Sequence, residues 1–254
     1  MTLHLERLIS LLEAIAAAGR PLAVAEAQAV TGLPRPTCYR LLQTLAEHRL
    51  IETPNGDSRY VIGERFVRIA LLGKSDVDVC QATAPTLRKA SAELGEAVFL
   101  SRLRNSDVEI IHVETPDDPA RSYIHPGLGK RPLHACSCAK VIAAFAEPEF
   151  QKALLAGSLK RYTEHTKTSA EPIVAELAQI VKRGYAECNQ EIDLGVASVA
   201  APVRIGNIGV TFSVGAVGPI HRFSTKYRSQ VGEQLMGLST EVSGAIRLCN
   251  VPES

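Results

Sequence analysis

The stretch GLPRPTCYRLLQTLAEHRLIE, residues Gly32 to Glu52, decides the fold of the N-terminal part of the chain. Gly32 suits a sharp turn, because glycine adopts positive φ without steric cost. Pro34 and Pro36 follow, and proline is tolerated only in the first turn of a helix. Apolar residues then recur at helical spacing, at Leu41, Leu42 and Leu45. This pattern predicts the turn and second helix of a helix-turn-helix that runs into a β-strand.

Polar and cationic side chains occupy the other faces of this helix. Such a helix suits the DNA major groove, where guanidinium, hydroxyl and amide groups bond bases and phosphates. The alternative is an ordinary solvated helix face. Arg35 is expected at a phosphate, and Arg59 either in the minor groove or in solvent. The expected DNA-binding residues are Arg35, Thr37, Tyr39, Arg40, Gln43 and Arg59.

The flanking segments complete a winged helix. Residues 3–18 repeat apolar side chains at helical spacing, and Val24–Val30 is a second short helix. Two short strands, 50–52 and 59–62, are joined by the turn-forming residues 53–58. Residues 64–73 are again helical, and Lys74-Ser75-Asp76 interrupts that pattern. We therefore place a domain boundary near residue 75.

The rest of the chain mixes strands and helices. Strands are expected at 97–103, 108–114, 122–125, 196–203 and 208–214. Helices are expected at 79–94, within 133–146, and at 173–183 and 225–246. This mixture predicts an α+β domain with helices packed on an antiparallel sheet.

Composition sets limits without naming a function. The chain has 254 residues with a net charge of +1, and residues 1–75 carry nine basic against seven acidic residues. This weak positive excess means that the residue pattern, not the charge, supports DNA binding. We see no membrane span and no signal peptide, so we expect a cytoplasmic protein. Six cysteines in such a chain predict reduced thiols.

In these residues the chain resembles the IclR family of transcriptional regulators over nearly its whole length. The N-terminal segments that carry the resemblance are Gly32-Leu33-Pro34, Thr37 to Leu42, Leu45 and Tyr60-Val61-Ile62-Gly63. The later segments are Pro132-Leu133-His134-Ala135, Lys140, Gly184-Tyr185, Glu191, Gly195-Val196, Ala200-Ala201-Pro202-Val203 and Gly218-Pro219. Two features depart from the family pattern: Arg49 stands where a helix-ending glycine is usual, and cysteines stand at 136, 138 and 188.

The resemblance implies a winged helix-turn-helix at 1–63, a linker helix at 64–78 and a GAF-like or profilin-like effector-binding domain at 79–254. It implies an allosteric, sequence-specific regulator that binds double-stranded operator DNA as a homodimer or tetramer. It also implies no catalytic residue, no cofactor and no metal. The effector is expected to be a small organic or aromatic acid. The expected effector-binding residues are Ile124, Leu128, Gly129, Ser137, Cys138, Cys188, Ser198 and Ser213.

The segment 134–140 also permits two other interpretations. Ser137 to Lys140 spells S-x-x-K, a serine acyl-enzyme motif, although its usual partner motifs are only partly matched. Soft ligands for zinc, or thiols for redox sensing, are offered by His134, Cys136, Cys138 and Cys188. The alternatives to an acid-sensing regulator are therefore a metal or redox sensor and, less favoured, a serine hydrolase.

Overall fold

The computed structural model describes residues 2–54, 58–118, 123–157, 159–205 and 209–248. By backbone contacts the described chain divides once, between Lys74 and Ser75. The expected linker helix at 64–78 is interrupted at residues 74–75, so it consists of two helical pieces. The functional division at residues 63 and 78 stays a prediction. None of the described helices combines the length and hydropathy that a bilayer crossing requires.

The N-terminal unit is a small helical domain with three short strands. Its helices are α1 (Thr2–Ala17), α2 (Val24–Thr31), α3 (Arg35–Glu47) and α4 (Glu64–Gly73). Its strands are β1 (Leu22–Ala23), β2 (Ile51–Glu52) and β3 (Arg59–Ile62). They form an antiparallel sheet in the order β1-β3-β2. The core lies between α1, α3 and this sheet, and it includes Leu11, Ile15, Leu41, Leu42, Leu45 and Ile51.

Two glycines end helices in this region and beyond. Gly32 follows α2 with φ 67° and Gly184 follows a later helix with φ 88°, both in the left-handed region. Arg49 also has a left-handed backbone, with φ 54°, at the end of α3. The position where the family usually has glycine thus keeps the backbone that favours glycine.

The C-terminal unit is built around one antiparallel sheet. Its strands are β4 (Ala97–Arg104), β5 (Asp107–Glu114), β6 (Gly129–Arg131), β7 (Ala186–Asn189), β8 (Val196–Arg204) and β9 (Val210–Pro219). Its helices are α5 (Asp76–Leu94), α6 (Ser137–Ala144), α7 (Pro148–Ala156), α8 (Ala170–Arg183) and α9 (Thr225–Leu248). The strand order is β6-β5-β4-β9-β8-β7.

The central strands β4, β8 and β9 are buried along successive residues, not alternate ones. Because successive side chains point to opposite faces, both faces of the sheet are covered. Helices α5 and α9 pack together against the sheet, and α6 packs on β8, β9 and α8. The expected α+β class is confirmed.

Several short elements differ from expectation. The strand expected at 122–125 is wrong over its described part, because residues 123–125 form no strand and Gly129–Arg131 pairs with β5 instead. The Gly127 backbone N–H donates to His125 Nδ1 over 3.0 Å, so this segment folds on itself locally. The elements β1, β6, β7 and α7 were not expected. Ser122, residues 55–57 of the expected turn 53–58 and residue 208 of the expected strand 208–214 lie outside the described chain.

Candidate functional site

Helix α3 presents a polar surface on the N-terminal unit. Arg35, Tyr39, Arg40 and Gln43 are exposed there, whereas Thr37 is half-buried. Tyr39 accepts a hydrogen bond from Gln43 Nε2 at 3.2 Å, which orders both side chains. The opposite face holds Cys38, Leu41, Leu42 and Leu45 in the core. Arg59, on β3, is also exposed.

The start of α3 also suits a phosphate. Pro34 caps the helix and Pro36 lies in its first turn, and among the described side chains none caps the first-turn N–H groups. Free amides at a helix N-terminus attract anions. Arg35 lies beside them in sequence, and its guanidinium adds an exposed positive charge.

A second site lies where the sheet of the C-terminal unit meets the start of α6. Strand register places Cys188, Ser198 and Val217 side by side on β7, β8 and β9. All three line a cavity of about 110 Å³. Ser137, the first residue of α6, shares a hydrogen bond of 2.7 Å with Ser198. The cavity therefore has one wall made of neighbouring strands and another at a helix N-terminus.

The cavity combines an apolar wall with a cationic one. Its apolar side chains are Phe99, Ile110, Ile124, Pro126, Ile192, Val196 and Val217. Arg131 supplies the guanidinium, and its Nη2 donates to the carbonyls of Pro126 and Gly127. Among the described residues, the buried Arg131 Nε has no hydrogen-bond partner. A donor without a partner beside an apolar wall suits a ligand that has an acidic head and an apolar body.

The structure divides the expected effector residues into two groups. Ile124, Cys188 and Ser198 line the cavity. Ser137 does not line it but is hydrogen-bonded to Ser198, which does. The other four are not among the lining residues: Leu128, Gly129, Cys138 and Ser213. Leu128 is exposed, and Gly129 begins β6.

Ser213 shares a face of the sheet with Ser198 but lies further along it, under α6. Its hydroxyl is fully buried, 2.6 Å from Ser101 Oγ and 3.3 Å from the Cys138 carbonyl oxygen. Ser213 therefore lies where β4, β9 and α6 pack together.

Sequence reasoning missed several cavity residues, among them Arg131, His125 and Asp193. The signal for Arg131 was its place directly before the Pro132-Leu133-His134-Ala135 segment. No such signal existed for Phe99 and Ile110, which read as ordinary strand residues. Only the sheet register shows that they share a face with Ser198.

The serine hydrolase interpretation fails on Lys140. Its Nζ lies 2.8 Å from Glu176 Oε1 and 2.6 Å from Glu191 Oε1, and its side chain is fully buried. Burial disfavours the charged ammonium, but the two carboxylates outweigh that cost and hold the pKa of Lys140 above its ordinary value. A cation held in this way does not accept a proton from Ser137, so S-x-x-K is a structural coincidence here.

The four candidate metal ligands do not form a site. His134 Nε2 lies 3.0 Å from the Lys160 carbonyl oxygen, and its ring stacks on Tyr162. In the parts of the chain that the structure describes, no three His, Cys, Asp or Glu side chains are grouped to hold a metal ion. The cysteines at 136 and 138 do lie together, with Sγ atoms 3.3 Å apart.

Both halves of the chain match one family. Residues 4–54 match the IclR helix-turn-helix domain, and residues 73–244 match the bacterial transcriptional regulator IclR C-terminal domain. The glycerol operon regulatory protein of Streptomyces griseus is 32% identical over 222 residues, covering 86% of this chain and 85% of the relative. The transcriptional repressor IclR of Escherichia coli K12 is 27% identical over 241 residues, covering 94% and 88%.

Solved structures agree on the fold. The IclR structure from Thermotoga maritima covers 97% of this chain and 99% of its own, with a TM-score of 0.61 and 22% identity. An IclR homologue from Microbacterium hydrocarbonoxydans, complexed with 4-hydroxybenzoate, covers 96% and 99%, with a TM-score of 0.60 and 22% identity. The chain belongs to the IclR family of DNA-binding transcriptional regulators, with an N-terminal helix-turn-helix and a C-terminal effector domain.

Proposed function

We propose that this regulator senses a small organic acid, which binds in the cavity between α6 and the sheet and changes the affinity for operator DNA. The observation that carries the proposal is the Arg131 guanidinium, with its partnerless Nε, beside the apolar side chains that line most of the cavity. An acid that binds one conformer better than another shifts the balance between them. The regulator is not an enzyme, and the acid is a signal, not a substrate.

The carboxylate end of the ligand is recognised by charge. Arg131 Nε is a buried donor without a partner among the described residues, and its guanidinium is pinned by two backbone carbonyls. Carboxylates pair with such pinned guanidinium groups through short, charge-assisted hydrogen bonds. The N-terminus of α6, where Cys136 is the cap residue and its side chain makes no capping bond to the described helix, adds favourable dipole potential.

The apolar end of the ligand is limited by size. The cavity holds about 110 Å³, and an apolar cavity of roughly 150 Å³ is known to hold benzene. A single ring or a short aliphatic chain is therefore the largest body that fits with small adjustments. The likeness to a fold that binds 4-hydroxybenzoate in one homologue supports an aromatic acid.

Ligand-induced thermal shift tests this proposal. Purified full-length protein is titrated with 4-hydroxybenzoate and a panel of small carboxylic acids, each paired with its neutral amide. A true effector at roughly 100 times its Kd stabilises the protein by about 2.7 kcal/mol, whereas its amide should not. If every acid and its amide give equal shifts, or neither gives any, the acid assignment is wrong.

A pair of variants ties the shift to the cavity. Arg131→Gln removes the guanidinium and should abolish the acid-dependent shift. Lys130→Gln is the matched control, because Lys130 is exposed, pairs with Asp107 and does not line the cavity. The control should respond like the wild type. Equal responses from the two variants would place the acid elsewhere.

DNA is contacted by the polar surface of α3. Arg40, Tyr39 and Gln43 enter the major groove, while Arg35 and the first-turn amides hold a phosphate. Thr37 and Arg59 complete the contact set at its edges. The exposure of all these side chains except the half-buried Thr37 supports the assignment, since the opposite face of α3 packs into the core.

Assembly as a dimer, or as a pair of dimers, follows from the operator. One winged helix covers one half-site, so a palindromic operator requires a two-fold protein. Helix α1 exposes Leu5 and Ile9, and α4 exposes Phe66 and Ile69. These apolar side chains are proposed as the dimer contacts. Because the regulator acts on DNA, we also propose that it is cytoplasmic.

A further inference from the structure

Three thiols converge on the acid-binding cavity and are not used in binding as described above. Cys136 and Cys188 line the cavity, and Cys138 is fully buried directly behind it. The Sγ atoms of Cys136 and Cys138 are 3.3 Å apart. The two cysteines stand at the cap and in the first turn of α6, separated only by Ser137.

Cys136 has the most acidic thiol of the group. The hydrogen bond from Cys138, together with the charges of Arg131 and Lys140, lowers the pKa of Cys136 to about 7 in spite of its burial. Burial raises the pKa of Cys138 well above its ordinary value and that of Cys188 to about 12. One thiol therefore carries thiolate character near neutral pH, and a protonated thiol already touches it.

We propose that Cys136 and Cys138 form a dithiol that peroxides oxidise to a disulfide, in the wall of the cavity to which the proposed function assigns the effector. The Cys136 thiolate attacks the peroxide, the O–O bond breaks, a sulfenic acid forms and hydroxide leaves. The Cys138 sulfur then attacks the sulfenic sulfur, and the S–O bond breaks. The sulfenic hydroxyl takes up the thiol proton of Cys138 and leaves as water. Two thiols are oxidised, and one hydrogen peroxide is reduced to two waters.

The second step needs little movement. The two sulfurs must close from 3.3 Å to about 2.0 Å. Cys136 reaches the cavity, which admits a molecule as small as hydrogen peroxide, while Cys138 is shielded from direct attack. The disulfide would replace a thiolate by a neutral group beside Arg131, so oxidation changes the charge that an acid meets.

The test is chemical and needs no effector. Reduced full-length protein is treated with hydrogen peroxide, remaining thiols are alkylated, and tryptic peptides are weighed. Trypsin cleaves after Lys130 and Lys140 but not between Arg131 and Pro132, so one peptide, 131–140, carries both cysteines. We expect this peptide to be two hydrogens lighter and free of alkylation. A Cys136–Cys188 cross-link, or a Cys136 still open to alkylation, would overturn the proposal.

Variants separate the roles of the two sulfurs. Cys138→Ser should leave a sulfenic acid at Cys136 that dimedone traps, and Cys136→Ser should leave Cys138 as a thiol. Cys80→Ser is the matched control, because Cys80 lies on α5 outside the cavity lining, and it should keep the disulfide. Each variant is compared with the wild type by circular dichroism, and Cys136→Ala replaces a serine variant that fails to fold. If peroxide is consumed while the mass of peptide 131–140 stays that of the dithiol, the proposed disulfide is refuted. Acid binding by the reduced wild type, measured separately, decides the proposed function.

Discussion

Arg49, just after α3, and Gly63, which packs against it, show how backbone conformation limits sequence. The Gly63 backbone lies so close to residues 49–51 that a Cβ on Gly63 would be 2.5 Å from the Arg49 carbonyl oxygen and 2.9 Å from the Ile51 nitrogen. That approach requires glycine, and the chain has it. At Arg49 the backbone is left-handed, yet the residue is not glycine. The end of α3 thus keeps local strain at an exposed side chain.

Arg49→Gly should therefore stabilise the N-terminal unit. A left-handed conformation costs a residue with a Cβ roughly 1–2 kcal/mol, and the greater freedom of glycine in the unfolded chain offsets part of the gain. We expect the free energy of unfolding to rise by about 0.5–1 kcal/mol, measured by denaturant unfolding. Arg49→Ala is the control, because it removes the side chain but keeps the Cβ. An equal gain for alanine would show that the charge, not the backbone, is the cause.

Lys140 shows how a buried charge is kept. Its ammonium lies between Glu176 Oε1 and Glu191 Oε1, and the buried Glu191 Oε2 has no hydrogen-bond partner among the described residues. Removing the ammonium would leave the buried Glu191 carboxylate without its cation, whereas Glu176 would keep Lys167. Such an uncompensated charge costs far more than the pair itself contributes.

Lys140→Met should lower the free energy of unfolding by about 3–5 kcal/mol at neutral pH, measured by urea denaturation. Lys167→Met is the control, since Lys167 also bonds Glu176, over 3.0 Å, but is partly exposed. The control should cost less than about 1 kcal/mol. Similar losses in the two variants would contradict the role assigned to burial.

At the scale of elements, long periodic segments were predictable, whereas short strands were predictable only where a turn joined them, as in β2 and β3. The helices at α1, α3, α4 and α9 carry apolar repeats that need no partner to be recognised. The strands β1, β6 and β7 have two to four residues, so they depend on a ladder partner far away in sequence. The cavity was predictable only in part for the same reason: Ser198 and Cys188 were foreseen, but Arg131 entered through the unforeseen strand β6.

The exposed apolar side chains of α1 give the proposed dimer a direct test. Ile9→Glu places a charge in the proposed contact, where burial without a partner is unfavourable. We expect sedimentation to shift from dimer, or tetramer, toward a smaller species. Val30→Glu is the matched control, because Val30 is 70% exposed on α2, outside the proposed contact. A wild-type monomer at every concentration, or equal dissociation of both variants, would refute the contact.

On the scale of the whole molecule, function depends on two compact units with separate chemistry. The first, up to Lys74, holds the polar surface of α3, and the second holds the cavity with Arg131. Each unit has its own core and its own sheet. A change confined to one binding surface should therefore leave the other surface intact.

Two variants test this separation by opposite effects. Arg40→Ala would remove the proposed charge-assisted contact to DNA, so operator affinity should fall by roughly 1–3 kcal/mol at fixed salt. The same variant should keep the full acid-dependent thermal shift, because α3 does not line the cavity. Arg131→Gln should do the reverse: it should keep the acid-free operator affinity and lose the response of that affinity to the acid. Lys89→Ala, on α5 of the second unit, controls for the loss of one exposed positive charge. If Arg131→Gln weakens acid-free DNA binding as much as Arg40→Ala does, the guanidinium supports the DNA-binding state itself, and the acid acts by displacing it from that role.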